Sequence, residues 1–170
     1  CPSRHYTTLR HGRIQHGIQY AEDPLRRQPT TYYGDKSGVG LAILNRRSDG
    51  PFKVGVVGLG TGTLAAYGRA GDLFRFYEIN PEVARLAASR FTYLADSPAR
   101  CEVVPGDARL SLEREAPQGY DLLALDAFSS DAIPVHLLTA EAFEACLKHL
   151  TPTGILAVHI SNRFVDLEPV

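Results

Sequence analysis

Methionine is absent from this sequence of 170 residues, and cysteine is scarce, with only Cys1, Cys101 and Cys146 present. Because a chain without methionine has no initiator residue, we expect it to be a processed product or part of a longer protein. The three cysteines are widely spaced and form no CxxC pair. This spacing predicts neither a disulfide framework nor a structural zinc site, and it indicates a reducing compartment.

The sequence also has no excess of positive or negative charge. Lys and Arg number 18 and Asp and Glu number 19, which gives a net charge of −1 and no electrostatic footprint of a nucleic-acid-binding protein. No apolar run approaches the roughly 20 residues that a membrane-spanning helix requires, and the N-terminus lacks the apolar stretch of a signal peptide. The length suits one packed domain or most of one.

Short apolar runs alternate with helical patterns along the middle and end of the chain. Such continuous runs are typical of strands buried in a parallel sheet. The alternation of strands and helices predicts an α/β fold with a Rossmann-like, doubly wound, mainly parallel sheet. The predicted strands are Lys53–Val57, Leu73–Glu78, Cys101–Val104, Asp121–Asp126 and Ile155–Ile160. The predicted helices are Ser37–Asn45, Thr63–Arg69, Pro81–Leu94, Ala108–Arg114, Thr139–Leu150 and a helix start at Asp166–Val170.

The first 50 residues follow a different pattern. Arg4–Tyr20 carries two His-Gly pairs among strand-forming residues, which predicts a β-hairpin instead of a βαβ unit. We divide the chain into residues 1–50, a hairpin region with a connecting helix, and residues 51–170, a nucleoside-binding domain. Since doubly wound nucleotide-binding sheets commonly have about six or more strands, we expect the C-terminal strands of the sheet to be missing.

A glycine-rich turn follows the first strand of the predicted sheet. Gly58, Gly60 and Gly62 form a GxGxG pattern, and glycine permits a tight turn and a close approach of the backbone to a ligand. Glu78 ends the next strand 20 residues after Gly58, where an acid can accept hydrogen bonds from the ribose hydroxyls of an adenosine. This combination predicts adenosine binding, and a GxGxG pattern favours an S-adenosylmethionine-type ligand over NAD.

Acidic residues also follow the next two predicted strands. Asp107 is placed to cap the helix after it and to face the adenine amino group. Asp126 ends the fourth strand and Asp131 comes five residues later, where side chains point into the ligand crevice. Two acids suit a cationic substrate, and one of them can accept a proton from an attacking amine. The alternative is that Asp131 caps a turn and that Asp126 alone is functional.

Three stretches of the chain resemble the spermidine synthase-like (polyamine aminopropyltransferase) family, within the superfamily of class I S-adenosylmethionine-dependent methyltransferases. They are HGRIQHG at residues 11–17, PTTYYG at 29–34 and DAFSSDAIP at 126–134. The resemblance runs from about His11 to Val158 and is strongest to a bacterial branch, some members of which carry the domain behind membrane-spanning helices. It implies transfer of an aminopropyl group from decarboxylated S-adenosylmethionine to a polyamine such as putrescine.

The resemblance also implies roles for individual residues. Asp126 corresponds to the catalytic acid that helps to deprotonate the amine, so that the amine attacks the methylene beside the sulfonium and methylthioadenosine leaves. Tyr32 or Tyr33 lines the implied amine site, together with Asp131. The implied donor-binding residues are Gln15, Gly58, Gly60, Gly62, Glu78 and Asp107.

Several positions depart from the family pattern. Thr61 stands where family enzymes usually have an Asp, which favours the alternative of a methyltransferase that uses S-adenosylmethionine itself. Methyltransferases commonly have an acid two residues before the first loop glycine, where this chain has Val56. The second acid follows Asp126 by five residues where the family usually has three, so the amine acceptor stays open. A third hypothesis is a non-catalytic nucleoside-binding domain of a membrane protein.

The other expectations concern histidines, ligands and partners. We expect decarboxylated S-adenosylmethionine or S-adenosylmethionine as the co-substrate, a small polyamine as substrate, no metal and no nucleic acid. The expected location is the cytoplasm, as an independent enzyme or as the cytoplasmic domain of a membrane-attached parent; because the family often dimerises, a homodimer is one alternative. His11, His16, His136 and His159 fit no zinc or iron spacing and are assigned to the hairpin or the surface, with His136 as a further candidate for the site.

Overall fold

The structure is a computed structural model that describes residues 5–11, 14–47, 49–127 and 134–160. Its strands are β1 Tyr6–His11, β2 Ile14–Tyr20, β3 Lys53–Val57, β4 Leu73–Glu78, β5 Arg100–Pro105, β6 Tyr120–Leu125 and β7 Leu150–Val158. Strands β1 and β2 form an antiparallel hairpin. The other five form a parallel sheet in the order β5-β4-β3-β6-β7.

Helices connect the strands of the sheet. Within the described residues the α-helices are α1 Gly38–Arg46, α2 Pro81–Arg90, α3 Tyr93–Asp96, α4 Ala108–Arg114 and α5 Ala140–Lys148. Short 3₁₀ helices cover Leu25–Arg27, Thr31–Tyr33, Thr63–Tyr67 and Val135–Leu137. A polar side chain caps the N-terminus of each of the four longer α-helices by accepting a hydrogen bond from a backbone N–H. The capping residues are Ser37, Asn80, Asp107 and Thr139.

The order of the strands fixes where a ligand can bind. From β3 the chain moves outward through β4 to β5, and it then returns to the other side of β3 with β6 and β7. The direction of winding therefore reverses between β3 and β6. In open α/β sheets ligands bind in the crevice beyond the carboxyl ends of the strands at such a reversal.

Hydrophobic side chains pack on both faces of the sheet. On one face α1 and α2 cover the sheet, with Ile43 and Ala87 packed among side chains such as Val54 and Phe76. On the other face α4 and α5 do so, with Leu112 and Cys146 among their buried residues. Successive residues of β3 and β6 point to opposite faces, so both strands are apolar on each side. This burial explains why their sequences show continuous apolar runs.

The predicted fold class is confirmed, and the predicted bounds of β3, β4 and α4 match the structure. The strand predicted at Ile155–Ile160 instead runs from Leu150 to Val158, so that His159 lies just beyond its end. The predicted helix start at Asp166–Val170 lies outside the described residues, and the domain boundary near residue 50 stays a prediction. No helix in the described part of the chain is both long enough and apolar enough to cross a membrane.

Two predicted helices are wrong in extent because contacts from elsewhere in the chain end them. The segment predicted as Pro81–Leu94 breaks at Phe91, which is extended, and the N–H of Thr92 donates to Oε1 of Gln19 in the hairpin at 2.8 Å. The segment predicted as Thr63–Arg69 is a 3₁₀ helix that ends at Tyr67. There the Ser97 hydroxyl donates to the carbonyl oxygen of Ala65 at 2.7 Å, the acceptor that residue 69 of an α-helix would use.

Candidate active site

The glycine-rich turn after β3 needs glycine for both conformation and space. Gly58, Gly60 and Gly62 have φ values of 101°, 55° and 80°, which favour glycine strongly. A Cβ on Gly58 would lie 2.6 Å from the carbonyl oxygen of Asp126, and one on Gly60 would lie 2.8 Å from that of His16. The turn is therefore clamped between the end of β6 and the N-terminal hairpin.

Gly58→Ala is expected to lower the free energy of unfolding by about 2 kcal/mol or more, because alanine is strained at this φ and its methyl group meets backbone atoms. Urea unfolding of the two proteins measures the difference. Gly38→Ala is the matched control, since a Cβ at the start of α1 meets nothing within 4 Å. Equal stability of Gly58→Ala and the unmodified chain would contradict the clamped geometry.

Thr61 lies inside this clamp and does not face the ligand crevice. Its side chain is buried, its hydroxyl oxygen lies 2.7 Å from that of Thr63, and a Cβ on Gly17 would collide with it. The position therefore packs the hairpin against the glycine turn. The carboxylate that the family usually has in this turn is missing here, and no other acid of the turn replaces it.

Glu78 lies at the end of β4 and holds the glycine turn. Its Oε2 accepts a hydrogen bond from the N–H of Leu59 at 3.0 Å, and its Oε1 accepts one from the N–H of Asn80 at 2.7 Å. The carboxylate is buried and fixed in orientation by these two bonds. Each oxygen can accept a second hydrogen bond, as two ribose hydroxyls would require.

Asp107 caps α4, as predicted, whereas its role toward the adenine amino group stays a prediction. Its Oδ1 accepts a hydrogen bond from the N–H of Leu110 at 3.0 Å and so caps α4, whereas its Oδ2 lies 3.1 Å from Nε2 of His136. The candidate His136 is thereby placed beside the site. It lies in the 3₁₀ helix Val135–Leu137, and its contact helps to hold the carboxylate in place.

These acids and the glycine turn line a first cavity of about 460 Å³, here called the glycine-loop cavity. It runs along the carboxyl ends of β3 and β4 and reaches the hairpin. Its wall includes two glycines of the turn and most of the charged or titratable side chains at this edge of the sheet: Arg10, Gly58, Gly60, Glu78, Glu82, Asp107, Asp126 and His136. The described hairpin residues in its wall are Leu9, Arg10 and His16, whereas Gln15 is half-buried next to His16 and is not in the wall.

Asp126 follows β6 and is held by donors on both of its oxygens. The Tyr33 hydroxyl donates to Oδ2, and Nδ1 of His159 lies 2.6 Å from Oδ1. The Tyr32 hydroxyl oxygen lies 3.4 Å from that of Tyr33. The side chain of Asp126 is only 8% exposed, so these contacts are well shielded from water.

The two tyrosines keep their protons near neutral pH. Burial, and then the charge of Asp126, raise the pKa of Tyr32 to about 12. The same two causes, in the same order, raise the pKa of Tyr33 well above its ordinary value. Both side chains are therefore neutral hydroxyls, and Tyr33 serves as a hydrogen-bond donor to the carboxylate.

A second cavity of about 420 Å³ lies on the other side of this cluster, beside the end of β7, and is here called the β7 cavity. Apolar side chains such as Val39, Leu64 and Ile155 form much of its wall. Its polar wall comes from Tyr32, Tyr33, Asp126 and His159. Tyr32, Tyr33 and Asp126 line both cavities, so the two cavities adjoin each other at these three residues.

The structure brings together most of the residues predicted from the sequence. Glu78, Asp107, Asp126 and both tyrosines line one or both cavities, whereas Asp131 lies outside the described residues. The surface role expected for His159 is wrong, since its ring contacts Asp126 and lies 4.6 Å, centroid to centroid, from that of Tyr32. Its place directly after β7, beside the residue that directly follows β6, is the signal that could have revealed it.

Relatives of the chain fall into two classes of transferase. A polyamine aminopropyltransferase of Vibrio vulnificus is 31% identical over 121 residues, which cover 67% of this chain and 38% of that protein. A putative O-methyltransferase of Mycobacterium avium is 29% identical over 126 residues, covering 72% of this chain and 53% of that protein. The chain therefore spans about half or less of the length of these relatives. No protein-family model matches it.

The fold has counterparts among solved structures. The crystal structure of a probable spermidine synthase from Corynebacterium glutamicum superposes with a TM-score of 0.64 at 19% identity, covering 92% of this chain and 61% of that one. At this level of identity the likeness shows a shared fold.

Proposed function

From a chain that is spermidine synthase-like in sequence and in fold, we propose a transferase that moves an aminopropyl group from decarboxylated S-adenosylmethionine to an amine, with a polyamine such as putrescine as the acceptor. The nucleoside of the donor occupies the glycine-loop cavity. Glu78 accepts hydrogen bonds from its ribose and Asp107 from its adenine amino group. The acceptor occupies the β7 cavity.

The observation that carries this proposal is the place of Asp126 between the two cavities. A donor in one cavity and an acceptor in the other meet at this carboxylate and its two tyrosine neighbours. Such an arrangement suits an in-line displacement, in which nucleophile and leaving group lie on opposite sides of the reacting carbon. Holding the two reactants in that geometry removes much of the entropic barrier.

The charge of the glycine-loop cavity supports a decarboxylated donor. Among the described residues of its wall, the carboxylates of Glu78, Glu82, Asp107 and Asp126 outnumber the single guanidinium of Arg10. Decarboxylated S-adenosylmethionine carries a sulfonium and an ammonium but no carboxylate, so it is more positive than S-adenosylmethionine. Carboxylates around a partly buried cavity attract the more positive donor more strongly. This excess of acid offsets the missing acid at Thr61.

The β7 cavity supplies what an amine acceptor needs at its reacting end. Asp126 attracts the ammonium and helps its deprotonation, and the Tyr32 and Tyr33 hydroxyls orient the nitrogen. The apolar wall accommodates the methylene chain of the amine. Asp131, five residues after Asp126, is proposed to bind a second ammonium group of a polyamine.

The test is a transfer assay with the full chain, decarboxylated S-adenosylmethionine and a panel that includes putrescine, spermidine and an arylalkyl monoamine. Mass spectrometry is expected to detect an aminopropylated amine together with an equal amount of methylthioadenosine. Heat-denatured protein is the control for uncatalysed decay of the donor. Consumption of S-adenosylmethionine with methylation of an acceptor, and no transfer from the decarboxylated donor, would contradict the proposal.

A methyltransferase that uses S-adenosylmethionine is the second candidate function. Arg10 favours it, because this guanidinium lines the glycine-loop cavity and can pair with the carboxylate that only S-adenosylmethionine has. Thr61 favours it as well, since no acid stands in the turn. If this candidate is correct, Arg10→Gln weakens the binding of S-adenosylmethionine about tenfold or more and leaves that of the decarboxylated donor unchanged.

A further inference from the structure

His159 is held against Asp126 by the pairing of β6 with β7. These strands are parallel and place Leu125 beside Val158, so that the next residue of each, Asp126 and His159, also lie side by side. The backbone N–H of His159 extends the ladder by donating to the carbonyl oxygen of Leu125 at 2.9 Å. The backbone of His159 is thus held by the sheet, and the contact with Asp126 holds its imidazole.

The contact between His159 and Asp126 fixes the tautomer of the imidazole. Because a carboxylate only accepts hydrogen bonds, the proton of the 2.6 Å contact must be on Nδ1 of His159. In the neutral ring the other nitrogen, Nε2, then carries the lone pair that can accept a proton. The ring is part of the wall of the β7 cavity, where the proposed acceptor binds.

Asp126 has the contacts of an orienting carboxylate. Both of its oxygens already accept hydrogen bonds within the protein, one from the Tyr33 hydroxyl and one from His159. A carboxylate bonded to Nδ1 of a histidine holds the ring in one orientation and stabilises it once Nε2 is protonated. The Tyr33 hydroxyl in turn holds the carboxylate from the other side.

We propose that His159 is the base that removes the proton from the acceptor, and that Asp126 orients and stabilises its imidazole. The inference rests on the proposed transferase function. The ammonium of the acceptor gives one proton to Nε2 and becomes a neutral amine. The nitrogen lone pair then forms the N–C bond while the C–S bond of the donor breaks, and the electron pair of that bond stays on sulfur. The imidazolium afterwards releases its proton to solvent.

His159→Asn tests this role, because its amide N–H can still donate to Asp126 whereas the residue cannot take up a proton. With decarboxylated S-adenosylmethionine and putrescine, kcat is expected to fall about 10²- to 10⁴-fold, while the dissociation constant of the donor stays unchanged. His5→Asn is the matched control, since His5 is exposed and lines neither cavity. A His159→Asn variant that keeps its rate would overturn the proposal.

Chemical rescue separates a proton-transfer role from a structural one. His159→Gly is expected to regain activity when imidazole is added, and the regained rate is expected to rise with the basicity of substituted imidazoles. A rescued rate that is independent of basicity would show that the ring only fills space, and so would overturn the proposal.

A measurement that needs no turnover keeps this inference distinct from the proposed function. Nitrogen-15 NMR of the labelled chain is expected to show His159 protonated at Nδ1, with a downfield proton resonance that disappears in Asp126→Asn. If this resonance is present but no amine is aminopropylated, the proposed function is wrong, whereas the hydrogen bond between His159 and Asp126 is confirmed. If the resonance is absent, His159 is not oriented by Asp126, and its proposed role as the base is wrong for any reaction that the protein catalyses.

Discussion

Asp126→Asn lowers the rate of aminopropyl transfer by about 10³- to 10⁴-fold, the larger of the two effects that we expect from substitutions of acids. The carboxylate accepts hydrogen bonds on both oxygens, from Tyr33 and from His159. An asparagine amide offers only one acceptor oxygen, so its NH₂ group must face one of these two donors. The substitution also removes the negative charge that attracts the ammonium. Initial rates of methylthioadenosine release measure the change.

Asp121→Asn is the matched control for this experiment. Asp121 lies near the start of β6, the strand that Asp126 directly follows. Its Oδ2 accepts a hydrogen bond from the N–H of Lys53 at 2.9 Å. It lines neither cavity. Its replacement is expected to leave the transfer rate unchanged. Similar rates for the Asp126 and Asp121 variants would show that Asp126 has no part in the chemistry.

Glu78→Ala raises the dissociation constant of the nucleoside donor by about 10- to 100-fold, which is the second large effect. Hydrogen bonds to a charged group contribute roughly 1.5–3 kcal/mol, and about 1.4 kcal/mol corresponds to a tenfold change in affinity. The substitution removes the proposed ribose acceptor and also frees the N–H groups of Leu59 and Asn80 that hold the glycine turn. Calorimetric titration with decarboxylated S-adenosylmethionine measures the change.

A thermal unfolding scan of Glu78→Ala accompanies the titration, because the lost backbone contacts also affect stability. Glu144→Ala is the matched control: its side chain is exposed on α5 and lies outside both cavities. We expect it to bind the donor like the unmodified chain. An unchanged dissociation constant for a folded Glu78→Ala variant would rule out the ribose role.

The sheet could be predicted from the sequence because strands that are buried on both faces consist mostly of consecutive apolar residues. The apolar runs of β3 and β6 and the glycine turn between β3 and the next helix are visible residue by residue. The ends of helices were less predictable, since they depend on distant partners. The side chain of Gln19 in the hairpin accepts a hydrogen bond from the N–H of Thr92, and the hydroxyl of Ser97 donates one to the carbonyl oxygen of Ala65. Neither contact leaves a trace in the helical pattern itself.

The candidate site was predictable where a residue's role follows from its place after a strand. Glu78, Asp107 and Asp126 each lie at the carboxyl end of a strand or within two residues after it, and the structure places all three in a cavity wall. His159 obeys the same rule, but the strand predicted from the sequence runs through it to Ile160, whereas β7 ends at Val158. Its role depends on the register between β6 and β7, which an apolar run does not define.

The most direct test of the proposed donor site is a pair of calorimetric titrations of the full chain, one with decarboxylated S-adenosylmethionine and one with S-adenosylmethionine. We expect tighter binding of the decarboxylated donor, because the carboxylates that line the glycine-loop cavity outnumber its single described arginine. Tighter binding of S-adenosylmethionine would contradict aminopropyl transfer and support the methyltransferase alternative. Binding of neither compound would contradict the assignment of this cavity to a nucleoside donor.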